Sequence, residues 1–274
     1  MDEILRGSYA APRWSLWPPN AVRVITWNID RGSRLSEVID FLASQNGDIL
    51  LLQEVDLNAR RTKRRNVAEE IARKLEMNYV FGFEFQELTQ GSRADPAFHG
   101  QATLARWRIG NSRVLRFRRQ SSFWRPRWFL PDTPPFQERL GGRIALIAEI
   151  EMLGRKLVSH NLHLESRGNN DLRISQLNEV LDEAGKYSPQ VPTLVAGDLN
   201  FDVARVLPES SLQGFRSAVG LPSPHTTAPR GLFSRGRTID WAYVSGAVEI
   251  SGGCVHGDVN ASDHYPISFT LRFS

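Results

Sequence analysis

At 274 residues, 41% of them hydrophobic and 23% charged, the chain is long enough to bury one substantial core and is neither disordered nor membrane-spanning in composition. A single cysteine, Cys254, excludes an intrachain disulfide and a thiolate metal cluster, so any metal falls to oxygen ligands and a reducing compartment is expected. The formal charge of +4 is unevenly spread: residues 106–143 hold ten arginines against Asp132 and Glu138, and RRTKRR occupies 60–65. Two gathered basic blocks point to a polyphosphate partner, although each block alone is equally well a solvated surface.

Residues 1–21 read as a lead segment, without the apolar core of a signal peptide, ahead of one domain over 22–274. No later run approaches the ~20 apolar residues of a spanning helix. The expectation is a monomeric cytoplasmic protein with no stable membrane insertion. Extended stretches follow at VRVITWN (22–28), DILLLQEV (48–55), NYVFGFEF (78–85), QATLARW (101–107), RVLRFR (113–118), RIALIAEIE (143–151), KLVSHNLHL (156–164), PTLVAGDLN (192–200), IDWAYVS (239–245) and PISFTLRF (266–273). Helical spacing marks Leu35 to Ala43, then Val67, Ile71 and Leu75, and then Ile174, Leu177 and Leu181 behind the start signal Asn-Asn-Asp at 169–171. Many strands with few helices, joined partly by turns and partly by crossovers, predict a mixed-sheet α/β protein.

Polar residues recur where these strands end: Asn28 and Asp30, Glu54, His163 with Glu165 and Ser166, Asp198 and Asn200, Asp240, and Asp263 with His264. Singly, each is ordinary turn chemistry. In VAGDLN, Asp198 and Asn200 stand two apart, so an extended chain would aim both at one space beyond the strand. His160 is read as packing or bonding locally, and Asp30 as lying behind the ligand set.

The ordered set TWNID, LQEVD, HLES, GDLNFD, TIDWAYV and SDHYPI resembles the endonuclease/exonuclease/phosphatase superfamily, which includes apurinic endonucleases and deoxyribonuclease I. TWNID, and HLES followed by Arg167, are most similar to its tyrosyl-DNA phosphodiesterase 2 branch. An arginine that the branch carries two residues after the GDxN asparagine is Asp202 here. The resemblance implies a DNase I-like four-layered sandwich, two mixed β-sheets packed face to face with helices outside. It implies a phosphodiesterase in which Glu54 binds Mg²⁺ or Mn²⁺ with Asn28 and Asp263 nearby. Asp198 becomes the base for the attacking water, with Asn200 beside it. His264, held by Asp240, and His163 face the phosphate. Ser166 and Arg167 add donors.

In FWRPRWF (123–129), Trp124, Arg125 and Arg127 suit a loop that grips phosphates and stacks on a base; the same pattern also serves internal packing or an interfacial membrane contact. The leading expectation is therefore hydrolysis of nucleic acid, internally or at a blocked 5′ end. The alternatives are a small phosphorylated or lipid-headgroup substrate, and a non-catalytic binding module on the same scaffold.

Overall fold

Strict alternation of side chains builds the centre of the molecule. The computed structural model describes residues 3–11, 17–123, 129, 131–134, 136–212, 214–221, 223–229 and 235–273. In β2 (Ala21–Arg31), Val22 and Val24 face one core while Ile25, Trp27 and Ile29 face another. With β1 (Ile4–Gly7), β3 (Ile49–Leu57), β4 (Asn78–Glu87), β5 (Phe98–Ala105), β13 (Val248–Val255) and β14 (Ile267–Phe273), it forms a mixed sheet ordered β1-β4-β5-β3-β2-β14-β13, to which β7 (Arg139–Gly141) adds on β4. The second sheet runs β11-β12-β10-β9-β8-β6, from β6 (Arg108–Arg116), β8 (Ile144–Met152), β9 (Arg155–His163), β10 (Thr193–Asp198), β11 (Arg216–Ser217) and β12 (Asp240–Ser245).

The sheets meet through a core that includes Val22, Val24, Leu51, Leu146, Leu194, Ala196, Ala242 and Phe269. Helices α1 (Leu35–Gln45) and α2 (Val67–Leu75) cover the outer face of the first sheet through Val38, Leu42, Val67 and Ile71. Helix α3 (Asn170–Ala184) covers the second through Leu177 and Val180; a short α4 (Val203–Val206) follows β10. This is the expected sandwich of two mixed sheets with helices outside. The Asn-Asn-Asp signal acts as read, since the Asn169 side chain accepts from Leu172 N. The lead segment contributes β1, which pairs antiparallel with β4. Among the described residues, no helix is long and apolar enough to cross a membrane.

Between the sheets, next to the site, a polar stitch interrupts the apolar core. Gln53 Nε2 donates to Asn161 Oδ1 at 2.7 Å, and Asn161 Nδ2 donates to the carbonyls of Leu52 and Ala102. Its donors are satisfied, so it ties the two sheets together.

His160 lies fully buried in β9 with its ring edge-on to Tyr187, as local packing requires. Burial pushes its pKa down to about 4. The unfolded chain, titrating near 6.5, takes the proton first on acidification. Stability is therefore expected to fall by about 3 kcal/mol as pH drops from about 6.5 to about 4. Urea unfolding across that window checks it, and His160→Phe should remove this component of the slope.

Candidate active site

Three neighbouring strands deliver the candidate residues in one row. In β9, β10 and β12, His163, Asp198 and Asp240 are register partners, and each continues the inward-facing parity of its strand past the apolar core. Gly197 makes that register possible: its φ is +145°, and a Cβ there would sit 2.1 Å from the Leu162 carbonyl oxygen of β9. β10 ends at Asp198 rather than running on to Asn200, a correction to the extended reading. Asn200 has a left-handed φ of +57°, its backbone N–H donates to Asp198 Oδ1 at 2.9 Å, and its Nδ2 donates to Leu164 O. The chain thus turns back on the aspartate, and a local hydrogen bond, rather than two-residue periodicity, places the two together.

From the first sheet, Asn28 continues the inner row of Val22 and Val24. Glu54 has the parity of the outward Leu50 and Leu52, yet Val55 rejoins their cluster and Glu54 does not. A bulge between Leu52 and Val55, with Glu54 at a φ of +51°, turns the carboxylate to the inner side. A second irregularity between Asn28 and Arg31 places Asp30 and Arg31 at positive φ as well.

The site's centre is Asp198 Oδ2, on a residue only 2% exposed. It accepts from Asn28 Nδ2 at 3.2 Å and lies 3.6 Å from His163 Nε2 and 3.7 Å from His264 Nε2. The same Asn28 amide donates to Glu54 Oε1 at 3.3 Å, so Asn28 spans the two carboxylates and shows them its N–H rather than its oxygen. His264 Nδ1 meets both Asp240 oxygens, at 3.0 and 2.9 Å. Although burial opposes it, the Asp240 and Asp198 carboxylates raise the His264 pKa to about 10, which keeps the ring cationic at neutral pH. Trp27 Nε1 donates to the His264 carbonyl and Ser262 Oγ to the Asn28 carbonyl, locking the two motifs together.

The donor set suits a hard cation. Burial raises the Asp30 pKa, and the carboxylates of Glu54 and Asp263 push it further up. Arg31 works against this shift, pairing with Asp30 at 2.7 Å and lying 3.7 Å from Glu54, and a divalent ion would add to that neutralisation. Burial also opposes charge on Glu54, but His99, His163, Arg31 and Arg143 outweigh it and hold the carboxyl well below its usual range. Asp263 is exposed at the mouth.

Several residues here carry no strand-end signal. Arg143 is buried, with Nη1 2.5 Å from Glu84 Oε1 and 2.9 Å from His163 Nδ1, while its Nη2 donates to Ser166 Oγ at 2.9 Å. Coulombic attraction to Arg143 and His163 overcomes burial and lowers Glu84 to about 2. Behind them, Asp56 pairs with Arg61 and His99. A carboxylate inside the aromatic strand NYVFGFEF was the available signal for Glu84. Ser166 and Arg167 are exposed at the rim, where the Arg167 guanidinium stacks 4.9 Å from the centroid of Phe123. Trp124, Arg125 and Arg127 lie outside the described residues.

Residues 25–264 match the Endonuclease/Exonuclease/phosphatase family. The chain belongs to that family. It is a family of hydrolases that act on phosphoester bonds and typically depend on a divalent metal, and the grouped Glu54, His99 and His163 and grouped Asp198, Asp240 and His264 are metal-capable sets in this member. Among solved structures, the family protein from Beutenbergia cavernae superposes with a TM-score of 0.62 at 18% identity, covering 93% of this chain and 72% of its own. TDP2 from D. rerio, complexed with single strand DNA product, gives 0.62 at 20% identity over 93% of this chain and 100% of its own. The human Nocturnin catalytic domain, with a bound sulfate anion, gives 0.64 at 18% over 100% and 97%. These likenesses establish the fold. Comparison with curated proteins gives no match.

Among the described residues, part of each basic block is folded into pairs with acids. Arg61 meets Asp56 and Glu87, Arg64 meets Asp95, and Arg65 faces Glu70. Arg108, Arg113, Arg139 and Arg143 pair with Glu151, Glu183, Glu87 and Glu84. That part of the charge, Arg61, Arg139 and Arg143 above all, neutralises buried acids of the fold.

Proposed function

We propose that this chain is a divalent-metal-dependent phosphodiesterase that hydrolyses phosphodiester bonds in nucleic acid. The observation that carries this reading is the single Asp198 oxygen within reach of Asn28, His163 and a cationic His264, with Glu54 across the Asn28 amide. Asp198 accepts the proton of the attacking water, the general-base role. Asn200, fixed by its backbone bond to Asp198, marks where that water or a phosphate oxygen sits. His264, oriented through Nδ1 by Asp240, presents Nε2 to a non-bridging oxygen as negative charge develops there. His163 faces the same space. Arg143 holds His163 from behind and Ser166 at the rim.

Glu54, with Asn28 and Asp263 beside it, would hold Mg²⁺ or Mn²⁺. When bound, the ion would supply Lewis-acid neutralisation of the phosphate. Asn28 must then present Oδ1, which here accepts from Asp30 N at 3.2 Å.

The nucleic-acid substrate is supported by an open cleft beside Asn200. Asn170, Arg173, Arg205, His225, Arg237 and Thr238 line it. Arg237 Nη2 donates to the Asn200 carbonyl. The guanidiniums of Arg173, Arg205 and Arg237 in one cleft with Asn200 suit a substrate carrying further phosphates. The D. rerio neighbour's single-strand product is consistent with this direction.

A panel of single-stranded, duplex and 5′-tyrosyl DNA, RNA, a bis-aryl phosphodiester and phospholipid tests the proposal. Cleavage of a nucleic acid well above the bis-aryl ester is expected; phospholipid turnover alone would contradict it. Arg205→Ala should weaken single-strand binding and lower the salt slope by about one counterion. The pairing of the basic blocks with acids favours a second reading, a small phosphorylated or lipid-headgroup substrate. In that case Arg125→Ala with Arg127→Ala leaves turnover unchanged, whereas the nucleic-acid reading expects a loss.

A further inference from the structure

An imidazole lies beside Glu54 that an all-oxygen cation site does not use. His99 is the second residue of β5, with its side chain 2% exposed. Glu54, His99 and His163 each offer one ligand atom, and these atoms all lie within 4.8 Å of one another. His99 Nδ1 is taken by Asp56 Oδ1 at 3.1 Å, which leaves Nε2 as the nitrogen it can offer.

Asp56 is itself tightly held. Arg61 grips it at two points, Nε to Oδ2 and Nη2 to Oδ1, both at 2.8 Å, and Thr62 Oγ1 donates at 3.3 Å. The Phe85 ring stacks on His99 at a centroid distance of 6.4 Å. A carboxylate bonded to the far nitrogen of an imidazole fixes its tautomer and orientation and raises its basicity as a ligand, which is how proteins prepare histidines for metals. A histidine that only filled space between strands would not require a two-point anchored carboxylate behind it.

We propose that Glu54 and His99, with His163 as a third donor, form a nitrogen-bearing cation site that selects a first-row transition ion, probed here with Mn²⁺, over Mg²⁺. An all-oxygen set suits Mg²⁺ and Mn²⁺ alike, whereas an imidazole nitrogen adds affinity for a first-row transition ion and little for Mg²⁺. Donors bonded at about 2.0–2.2 Å lie about 3.0–3.6 Å apart at octahedral or tetrahedral angles, so the group must draw in by up to about 1–2 Å on binding an ion. His163 joins only when its ring turns from Arg143, whose Nη1 lies 2.9 and 3.0 Å from its two nitrogens. Glu54 and His99 therefore carry the selectivity. The inference rests on Glu54 being the cation carboxylate of the proposed phosphodiesterase, and it changes which ion that carboxylate keeps.

The test uses the whole chain, freed of metal by chelation and dialysis, with no substrate present. Calorimetry measures Mn²⁺ and Mg²⁺ binding, and electron spin-echo spectroscopy of bound Mn²⁺ reads coupling to ¹⁴N. Mn²⁺ is expected to bind at least about tenfold more tightly than Mg²⁺, with nitrogen coupling present. His99→Gln should weaken Mn²⁺ binding by about 10- to 100-fold and remove most of that coupling, while Mg²⁺ affinity moves by less than about threefold. Unchanged Mn²⁺ affinity in His99→Gln, or equal losses for both ions, would overturn the proposal. Should that variant fail to fold by circular dichroism, the wild-type spectrum decides alone: bound Mn²⁺ without nitrogen coupling ends the inference. The functional reading fails differently. Nitrogen-coupled Mn²⁺ with no phosphodiester turnover would remove the activity and keep the site; Mg²⁺-supported turnover without nitrogen coupling would do the reverse.

Discussion

Asp198→Asn is expected to lower phosphodiester turnover by at least about 10²- to 10⁴-fold while leaving the fold intact. The change keeps the volume of the side chain, and Oδ1 can still accept the Asn200 N–H that fixes the turn after β10. It alters Oδ2, the atom that accepts from Asn28 and lies within 3.7 Å of both His163 and His264. An amide there cannot take a proton from water. It also removes one of the carboxylates that keep His264 cationic, so the phosphate-facing ring loses part of its charge in the same step. Steady-state rates on the bis-aryl ester, with circular dichroism and a urea midpoint as folding controls, check this. A rate near wild type would take Asp198 out of the base role.

Arg143→Met is expected to destabilise the fold by about 3–5 kcal/mol, because it leaves Glu84 as an uncompensated buried charge. Glu84 is fully buried and its carboxylate is held ionised chiefly by Arg143 and His163 against the pull of burial. The same substitution frees Ser166 and one side of His163, so activity should fall together with stability. Glu84→Gln combined with Arg143→Met should recover a large part of the lost stability, since neither charge then remains. Urea unfolding of the single and double variants reads both effects. A single variant within about 1 kcal/mol of wild type would mean that the pair is worth no more than a surface contact.

The sandwich was legible because its strands obey period two so cleanly. Val22 and Val24 against Ile25 and Trp27, or Leu194 and Ala196 against Val195, name their faces without further information. The shorter strands were not legible: β7 and β11 are three and two residues long, and β13 carries two glycines and a register shift. His163, Asp198 and Asp240 were readable as strand-end polar residues, and their adjacency follows from strand order. Glu54 was readable as a polar residue at a strand end and through the family motif, but not from the alternation of its strand. Periodicity alone sends it to the helix-covered face, and the bulge that reverses it has no local composition signal. Glu84 and His99 escaped because they sit in apolar strands, and Arg143 because it sits in the short link between β7 and β8; each gains its meaning from a partner many positions away. The basic blocks were legible only as charge: a count along the chain does not show which arginines, such as Arg61 and Arg143, will fold against acids.

Hydrolysis of a bis-aryl phosphodiester by the purified chain, measured after exhaustive chelation and again after adding back Mn²⁺ or Mg²⁺, tests the central claim most directly. Glu54, Asp198, His163 and His264 forming one metal-dependent pocket predicts turnover that disappears on chelation and returns with the divalent ion. Turnover that persists at full rate in the chelated protein would contradict it.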